Sequence, residues 1–137
     1  MATILLVEDD EDSYDMLTGR LEHKGYSVDL ATTGEDALEM AGETPYDLIL
    51  MDIRLPDFDG YEATDRIRAR ADNGAEVPII AITAYALEED REKALEAGCD
   101  DYHAKPVHFS KLIEQIEALL GEAQVPAGEA QSGEEAS

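Results

Sequence analysis

Four stretches of the chain carry side chains that could act together if the fold made them converge. Glu8-Asp9-Asp10 follows the apolar run Ile4-Leu5-Leu6-Val7, and Asp52 follows Leu48-Ile49-Leu50-Met51. Thr83-Ala84 ends the run Val77-Pro78-Ile79-Ile80-Ala81-Ile82, and Lys105-Pro106 follows Asp101-Tyr102-His103-Ala104. Each therefore stands where a short strand is expected to stop. An acid directly after Leu-Ile-Leu-Met has no structural reason to be there, and Glu8 and Asp9 extend a strand that reads as buried. Three or four carboxylates would thus meet one hydroxyl and one ammonium. Two carboxylates about 4 Å apart repel by roughly 4 kcal/mol at an effective dielectric of about 20, so the cluster needs a cation. Oxygen-only ligands select a hard ion, and few protein ligands with room for water favour Mg²⁺ over a full calcium cage. Asp10, Glu11 and Asp12 have a simpler reading: acids at the start of a helix complement its dipole and cap its free N–H groups. Alone, Lys105 would read as a solvated lysine and Thr83 as an ordinary strand end; their joint placement singles them out.

The elements that must position these groups alternate in type. Continuous apolar runs at 4–7, 48–51 and 77–82 suit strands buried on both faces. Tyr26-Ser27-Val28-Asp29-Leu30 alternates and Asp101–Ala104 is mostly polar, so both suit sheet edges. Between them lie helical patterns. Phe109, Leu112, Ile113, Ile116, Leu119 and Leu120 fall on one face, as do Tyr14, Leu17 and Leu21, and more weakly Ala37, Leu38 and Ala41. Glu88–Leu95 has few apolar anchors, so low local stability is expected there. Strand and helix alternate five times, which requires a parallel sheet covered on both sides. An arrangement with strands one, three and four interior and two and five at the edges fits the order 2-1-3-4-5, a doubly wound α/β fold. The chain reverses direction between strands one and three, and ligands in such sheets bind beyond the carboxyl ends of the strands at that reversal. The acidic stretches fall there.

The 137 residues suit one domain, expected over 1–120, with 121–137 as a flexible acidic tail. The tail carries four Glu, no basic residue and one large aliphatic, Val125. The net charge is −23, of which −19 belongs to residues 1–120. Such an excess, with four Lys, points to adaptation to a salt-rich cytoplasm. It also argues against nucleic acid and anionic lipid as partners, since both are negative. No apolar run approaches the roughly 20 residues of a membrane span, and no basic segment opens a signal peptide, so a cytoplasmic location is expected. The single cysteine, Cys99, excludes an intramolecular disulfide and a cysteine-rich zinc site, and reads as a small buried apolar residue. His23, His103 and His108 read as solvated.

Taken in order, Ile-Leu-Leu-Val-Glu8-Asp9-Asp10, Asp47-Leu-Ile-Leu-Met-Asp52-Ile-Arg54-Leu-Pro56-Asp57-Phe-Asp59-Gly60, Ile80-Ala-Ile-Thr83-Ala84, Ala97-Gly98-Cys99-Asp100-Asp101-Tyr102 and Lys105-Pro106 make the chain resemble a response-regulator receiver domain of two-component signalling over residues 3–120. The resemblance implies a flavodoxin-like (βα)5 fold and a single-domain, chemotaxis-regulator-like phosphoacceptor. Asp52 would take a phosphoryl group from a phosphohistidine on a histidine kinase or histidine phosphotransfer protein. Asp9 and Asp52 would bind Mg²⁺ directly, Glu8 through water, and Arg54 through its backbone carbonyl. Lys105, the Thr83 hydroxyl and the Ala84 N–H would hold the phosphate oxygens. Thr83 and Tyr102 would switch, remodelling the surface of helix four, strand five and helix five, and the Lys105-Pro106 bond would be cis. Arg54 and Tyr85 stand where the family tunes phosphate lifetime, and Tyr14 to Leu21 where it selects the kinase. The chain would not be an enzyme beyond catalysing its own phosphorylation and dephosphorylation, and would be a monomer or weak dimer. With no output domain after residue 120, it would relay phosphate or dock on a downstream protein.

Other classes compete. Aligning Gly60 with position six of a calcium loop puts Leu55 and Arg66 where acids are required, so Asp57-Phe58-Asp59-Gly60 reads better as a turn. A flavin carrier would need Gly, Ser and Thr N–H groups after strand one, where this chain is acidic. A phosphatase with a nucleophilic Asp would usually carry a second acid at the position of Arg54. A receiver cut from a hybrid histidine kinase and a phosphate-independent interaction module remain as alternatives.

Overall fold

The computed structural model describes residues 2–70, 76–84 and 88–124. Five strands and five helices alternate: β1 (Thr3–Val7), α1 (Glu11–His23), β2 (Ser27–Ala31), α2 (Gly34–Glu43), β3 (Leu48–Asp52), α3 (Gly60–Arg68), β4 (Ile79–Thr83), α4 (Glu88–Ala97), β5 (Asp101–Ala104) and α5 (Phe109–Gln124). The sheet order is β2-β1-β3-β4-β5 and every pairing is parallel, the doubly wound arrangement expected from the burial pattern. β3 and β4 are buried along their whole length, whereas β2 alternates and β5 is mostly half-buried, as befits edges.

Because successive strand residues point to opposite faces, the apolar runs divide into two cores. Leu5, Val7, Ile49, Met51, Ile79 and Ala81 face α2, α3 and α4, meeting Ala37, Ala63, Ile67 and Ala94. Ile4, Leu6, Leu48, Leu50, Ile80 and Ile82 face α1 and α5, meeting Leu17, Leu21, Leu112 and Ile116. Each large aliphatic side chain fully buried contributes roughly 1.5–3 kcal/mol of transfer free energy, so the sheet is a rigid platform for whatever its strand ends carry. Anchorage is uneven on its two sides. α5 buries Leu112, Ile113, Ile116 and Leu120, but α4 buries only Ala94 and leaves Leu95 exposed.

The helix starts follow capping chemistry. Asp10 accepts from the Ser13 N–H, Thr33 from Asp36 and Asp59 from Glu62, satisfying donors with no partner inside their helices. The capping role expected of Asp10 is the one observed. α5 continues to Gln124, so the first four residues of the stretch expected as a tail are helical; residues 125–137 lie outside the described residues. Among the described residues no helix is long and apolar enough to cross a membrane.

One expectation fails. His23 and His108 are exposed, but His103 is 3% exposed, with its ring between Gln115 and the His108 N–H. Polar partners from α5 and the following loop make burial tolerable for it. Cys99 is buried as expected, beside the Thr64 hydroxyl.

Candidate functional site

The carboxyl ends of β1, β3, β4 and β5 open onto one cleft of about 610 Å³, whose walls include Glu8, Asp9, Asp52, Arg54, Ala84 and Lys105. The strands explain the convergence. Asp52 is the last residue of β3 and Glu8 follows the last residue of β1, and these strands are hydrogen-bonded neighbours at the reversal of the sheet. Carboxylate oxygens of Glu8, Asp9 and Asp52 lie within 4.8 Å of one another. Glu8 and Asp52 are buried, at 1% and 2% exposure, while Asp9 is exposed at the mouth. Lys105 projects from the far side of the sheet, its Nζ 3.4 Å from Asp52 Oδ2 and 3.7 Å from Glu8 Oε1.

The electrostatics are unbalanced. One ammonium stands beside Glu8 and Asp52 in a cluster of three carboxylates, which carries two uncompensated negative charges when all three are ionised. Burial, then a hydrogen bond to Asp52 and the charge of Asp52, push the Glu8 carboxyl from its ordinary 4.5 up to about 7, against the opposing pull of the Asp10 N–H and Lys105. A buried carboxyl driven toward its neutral form marks a place where positive charge is in short supply. Three carboxylates, two of them out of solvent, therefore suit a hard divalent cation. The carboxylate of Asp52 is held in place from the backbone, since its Oδ1 accepts the Arg54 N–H at 3.1 Å. The Arg54 side chain itself is exposed.

Thr83 ends β4, paired in register with Ala104, and is 2% exposed; Ala84 follows it into the cleft wall. Tyr102 is half-buried on β5, on the sheet face of α3 and α4, with the Arg91 guanidinium 5.9 Å from its ring. Tyr85 lies outside the described residues. The Lys105-Pro106 bond is cis.

Two contributors to the site lie in the stretch whose sequence reads only as a turn, Asp57-Phe58-Asp59-Gly60. Asp57 reaches across to the start of α2, where its carboxylate accepts the Gly34 and Glu35 N–H groups, each at 2.9 Å, besides its neighbour Phe58. Gly60 donates to the Ile53 carbonyl at 2.8 Å, and a Cβ there would lie 2.5 Å from the Asp52 carbonyl oxygen. Only glycine lets α3 begin this close to the end of β3. Together they hold the loop bearing Arg54 against its surroundings. The acid and the glycine were visible in the sequence, but their contacts were not.

Residues 4–117 match the model of the response regulator receiver domain. The polar-differentiation response regulator DivK of Brucella anthropi is 36% identical over 121 residues, covering 88% of this chain and 98% of DivK. The transcriptional regulatory protein PcoR of Escherichia coli is 37% identical over 127 residues, and there the alignment covers 93% of this chain but only 55% of the longer PcoR. Among solved structures, the receiver domain of the sensor histidine kinase PA1611 from Pseudomonas aeruginosa superposes with a TM-score of 0.82 at 46% identity, covering 88% of this chain and 98% of that one. That structure has a magnesium ion coordinated in its active-site cleft. With five parallel strands in the order 2-1-3-4-5 and the matching motifs at their ends, this chain belongs to the response-regulator receiver family.

Proposed function

We propose that the chain is a phosphoacceptor of two-component signalling that takes a phosphoryl group onto Asp52 and changes its α4-β5-α5 surface in response. The observation that carries this reading is the placement of Asp52. It is a buried carboxylate fixed by a backbone N–H, 3.4 Å from the Lys105 ammonium and beside two further acids. A carboxylate oxygen of Asp52 attacks phosphorus in line with the departing imidazole nitrogen of a phosphohistidine on a histidine kinase or histidine phosphotransfer protein. The O–P bond forms as the N–P bond breaks, and the imidazole leaves with the electron pair. Lys105 neutralises charge on one phosphoryl oxygen; the Thr83 hydroxyl and the Ala84 N–H receive the others. Glu8, Asp9, Asp52 and the Arg54 carbonyl would hold Mg²⁺. When bound, that ion supplies Lewis-acid stabilisation of the charge spread over the transferring group.

The switch follows from the same contacts. Thr83 is drawn to the phosphate and Tyr102 turns behind it, and α4, with one buried residue, is the cheapest element to shift. The protein is modified rather than turning over a separate substrate. It then relays the phosphate or docks on a downstream protein, as a monomer or weak dimer, in the cytoplasm and without contacting nucleic acid. The receiver of PA1611 belongs to a sensor kinase, so a receiver from a hybrid kinase is the second reading, with the same chemistry at Asp52.

The test is intact mass after incubation with acetyl phosphate, with and without Mg²⁺, beside Asp52→Asn. A gain of one phosphoryl group that requires both the ion and Asp52 is the expected result. No adduct under any condition, together with no binding of beryllofluoride, would overturn the reading in favour of a phosphate-independent module.

A further inference from the structure

The buried histidine on β5 takes no part in the chemistry above, yet both of its ring nitrogens are committed. His103 lies in register with the apolar Ile82 of β4, on the face covered by α5. Its Nδ1 lies 2.7 Å from Gln115 Oε1, and its Nε2 lies 3.1 Å from the backbone N–H of His108. The direction of each bond can be worked out from the far end. Gln115 Nε2 faces two acceptors, Asp101 Oδ2 at 2.9 Å and the Tyr102 carbonyl at 2.8 Å, so it is the amide NH₂. Gln115 Oε1 is then the oxygen that faces His103, which makes His103 Nδ1 a donor. His108 can only donate, which makes His103 Nε2 a bare acceptor. One tautomer of a neutral ring satisfies all four contacts.

This chain of bonds closes a loop in the backbone. Its two ends on the main chain, His103 and the His108 N–H, bracket residues 104–107, and Lys105 lies between them. We infer that His103 and Gln115 are positioning residues that latch the β5–α5 loop and so hold Lys105 toward Asp52 and Glu8, and that protonation of His103 opens the latch. A second proton would sit on Nε2 and point at the His108 N–H, replacing an accepted bond with two opposed donors. The His108 carbonyl accepts the Leu112 N–H in the first turn of α5, so the displaced backbone is the one that starts that helix. The titratable and charged groups that line the cavity beside the ring are Asp101 on β5, Lys105 and His108 in the loop, Lys111 on α5 and Arg91 on α4. Of these only Asp101 is negative, and it is already engaged by Gln115 and the Tyr102 N–H. The inference rests on the phosphoacceptor reading for its purpose but not for its geometry.

The experiment uses the full chain and His103→Gln, whose amide oxygen can accept from His108 at any pH. Ring nitrogen signals of His103 and the exchange protection factor of the His108 amide are followed by NMR from pH 8 to pH 5. Beryllofluoride affinity in the presence of Mg²⁺ is measured on the same samples. The expected result is a ring protonated at Nδ1 and bare at Nε2 at pH 8. As the ring takes its second proton, the His108 protection factor falls by about tenfold or more, and affinity falls with it relative to His103→Gln. A ring protonated at Nε2 at pH 8, a ring that takes no second proton by pH 5, or a protection factor that stays level while the ring titrates overturns the latch. So does an identical pH dependence of affinity in the two proteins. The ring and amide signals are read on the wild type, so the outcome survives a variant that fails to fold. If the amide transition occurs but beryllofluoride binds at no pH, the latch stands and the phosphoacceptor reading falls.

Discussion

Glu8 is 1% exposed and shares its surroundings with Asp52, so Glu8→Gln removes a charge while keeping the shape that fills the space. The size of the effect follows from the raised carboxyl. The group titrates at 4.5 when exposed and at about 7 in the folded chain. Between those values the folded protein holds a proton that the unfolded chain has released, so acid favours folding. The contribution of Glu8 to stability is complete below 4.5 and is lost as pH rises through about 7. At about 1.4 kcal/mol per pH unit, the charged form above that range costs roughly 3 kcal/mol. Glutamine does not titrate. The variant should match the wild type near pH 4.5 and become progressively more stable than it, by on the order of 3 kcal/mol at pH 8. Urea unfolding at fixed ionic strength, at intervals from pH 5 to 8 in a chelator, measures the difference. Repeating the series in Mg²⁺ should shrink the gain, because a bound cation stabilises the ionised carboxylate of the wild type. A gain that is the same at pH 5 and pH 8, or that Mg²⁺ leaves untouched, would refute the reasoning.

Other consequences can be checked as directly. Gly60→Ala drives a Cβ to 2.5 Å from the Asp52 carbonyl and should cost about 2–3 kcal/mol, slowing phosphorylation with it; an unchanged urea midpoint would count against the close approach. At Asp57, burial opposes ionisation but the N–H groups of Gly34, Glu35 and Phe58 outweigh it and hold the carboxyl below 3.8. Asp57→Ala should therefore lower stability by about 1 kcal/mol at neutral pH, with the difference vanishing as acid protonates the wild-type group; a deficit that persists in strong acid would be the wrong outcome. Burial, outweighing the Thr64 hydroxyl and the Arg68 charge, raises the Cys99 thiol from 9.0 to about 11, about a hundredfold less thiolate at neutral pH. A thiol reagent should label the protein only as fast as it opens, and labelling at the rate of the urea-unfolded chain would contradict this. With a net charge of −23, thermal unfolding should shift upward in molar KCl; a midpoint indifferent to salt would dispose of the adaptation to a salt-rich cytoplasm.

How much was legible in the sequence depended on the range of the interaction. β1, β3 and β4 announce themselves because strands buried on both faces must be continuously apolar, and β2 and β5 because edges need not be. That contrast fits the doubly wound order 2-1-3-4-5, and in that order Glu8, Asp9 and Asp52 meet. A cap such as Asp10 on Ser13 is equally readable, since its partner is three residues away. His103 was misread because what makes its burial possible is Gln115, twelve residues on, and a main-chain donor five residues on. The hold of Asp57 on α2 spans 23 residues in the reverse direction and carries no periodic signal. The boundary at 120 was drawn where large apolar residues stop, whereas α5 runs on to Gln124 because helical hydrogen bonding needs no apolar side chain to continue for a turn.

The thin anchorage of α4 also bears on how such a protein can diverge. Of its ten residues Ala94 alone is buried and seven are exposed, so those seven can be exchanged without opening a cavity or crowding a neighbour, changes that typically cost within about 0.5 kcal/mol. A duplicated copy of the gene could therefore rewrite this helix freely while β1, β3 and β4, where nearly every position is sealed, stay as they are. New partners would be gained on the side of the sheet that holds least, and the acidic cleft would pass through that divergence unchanged.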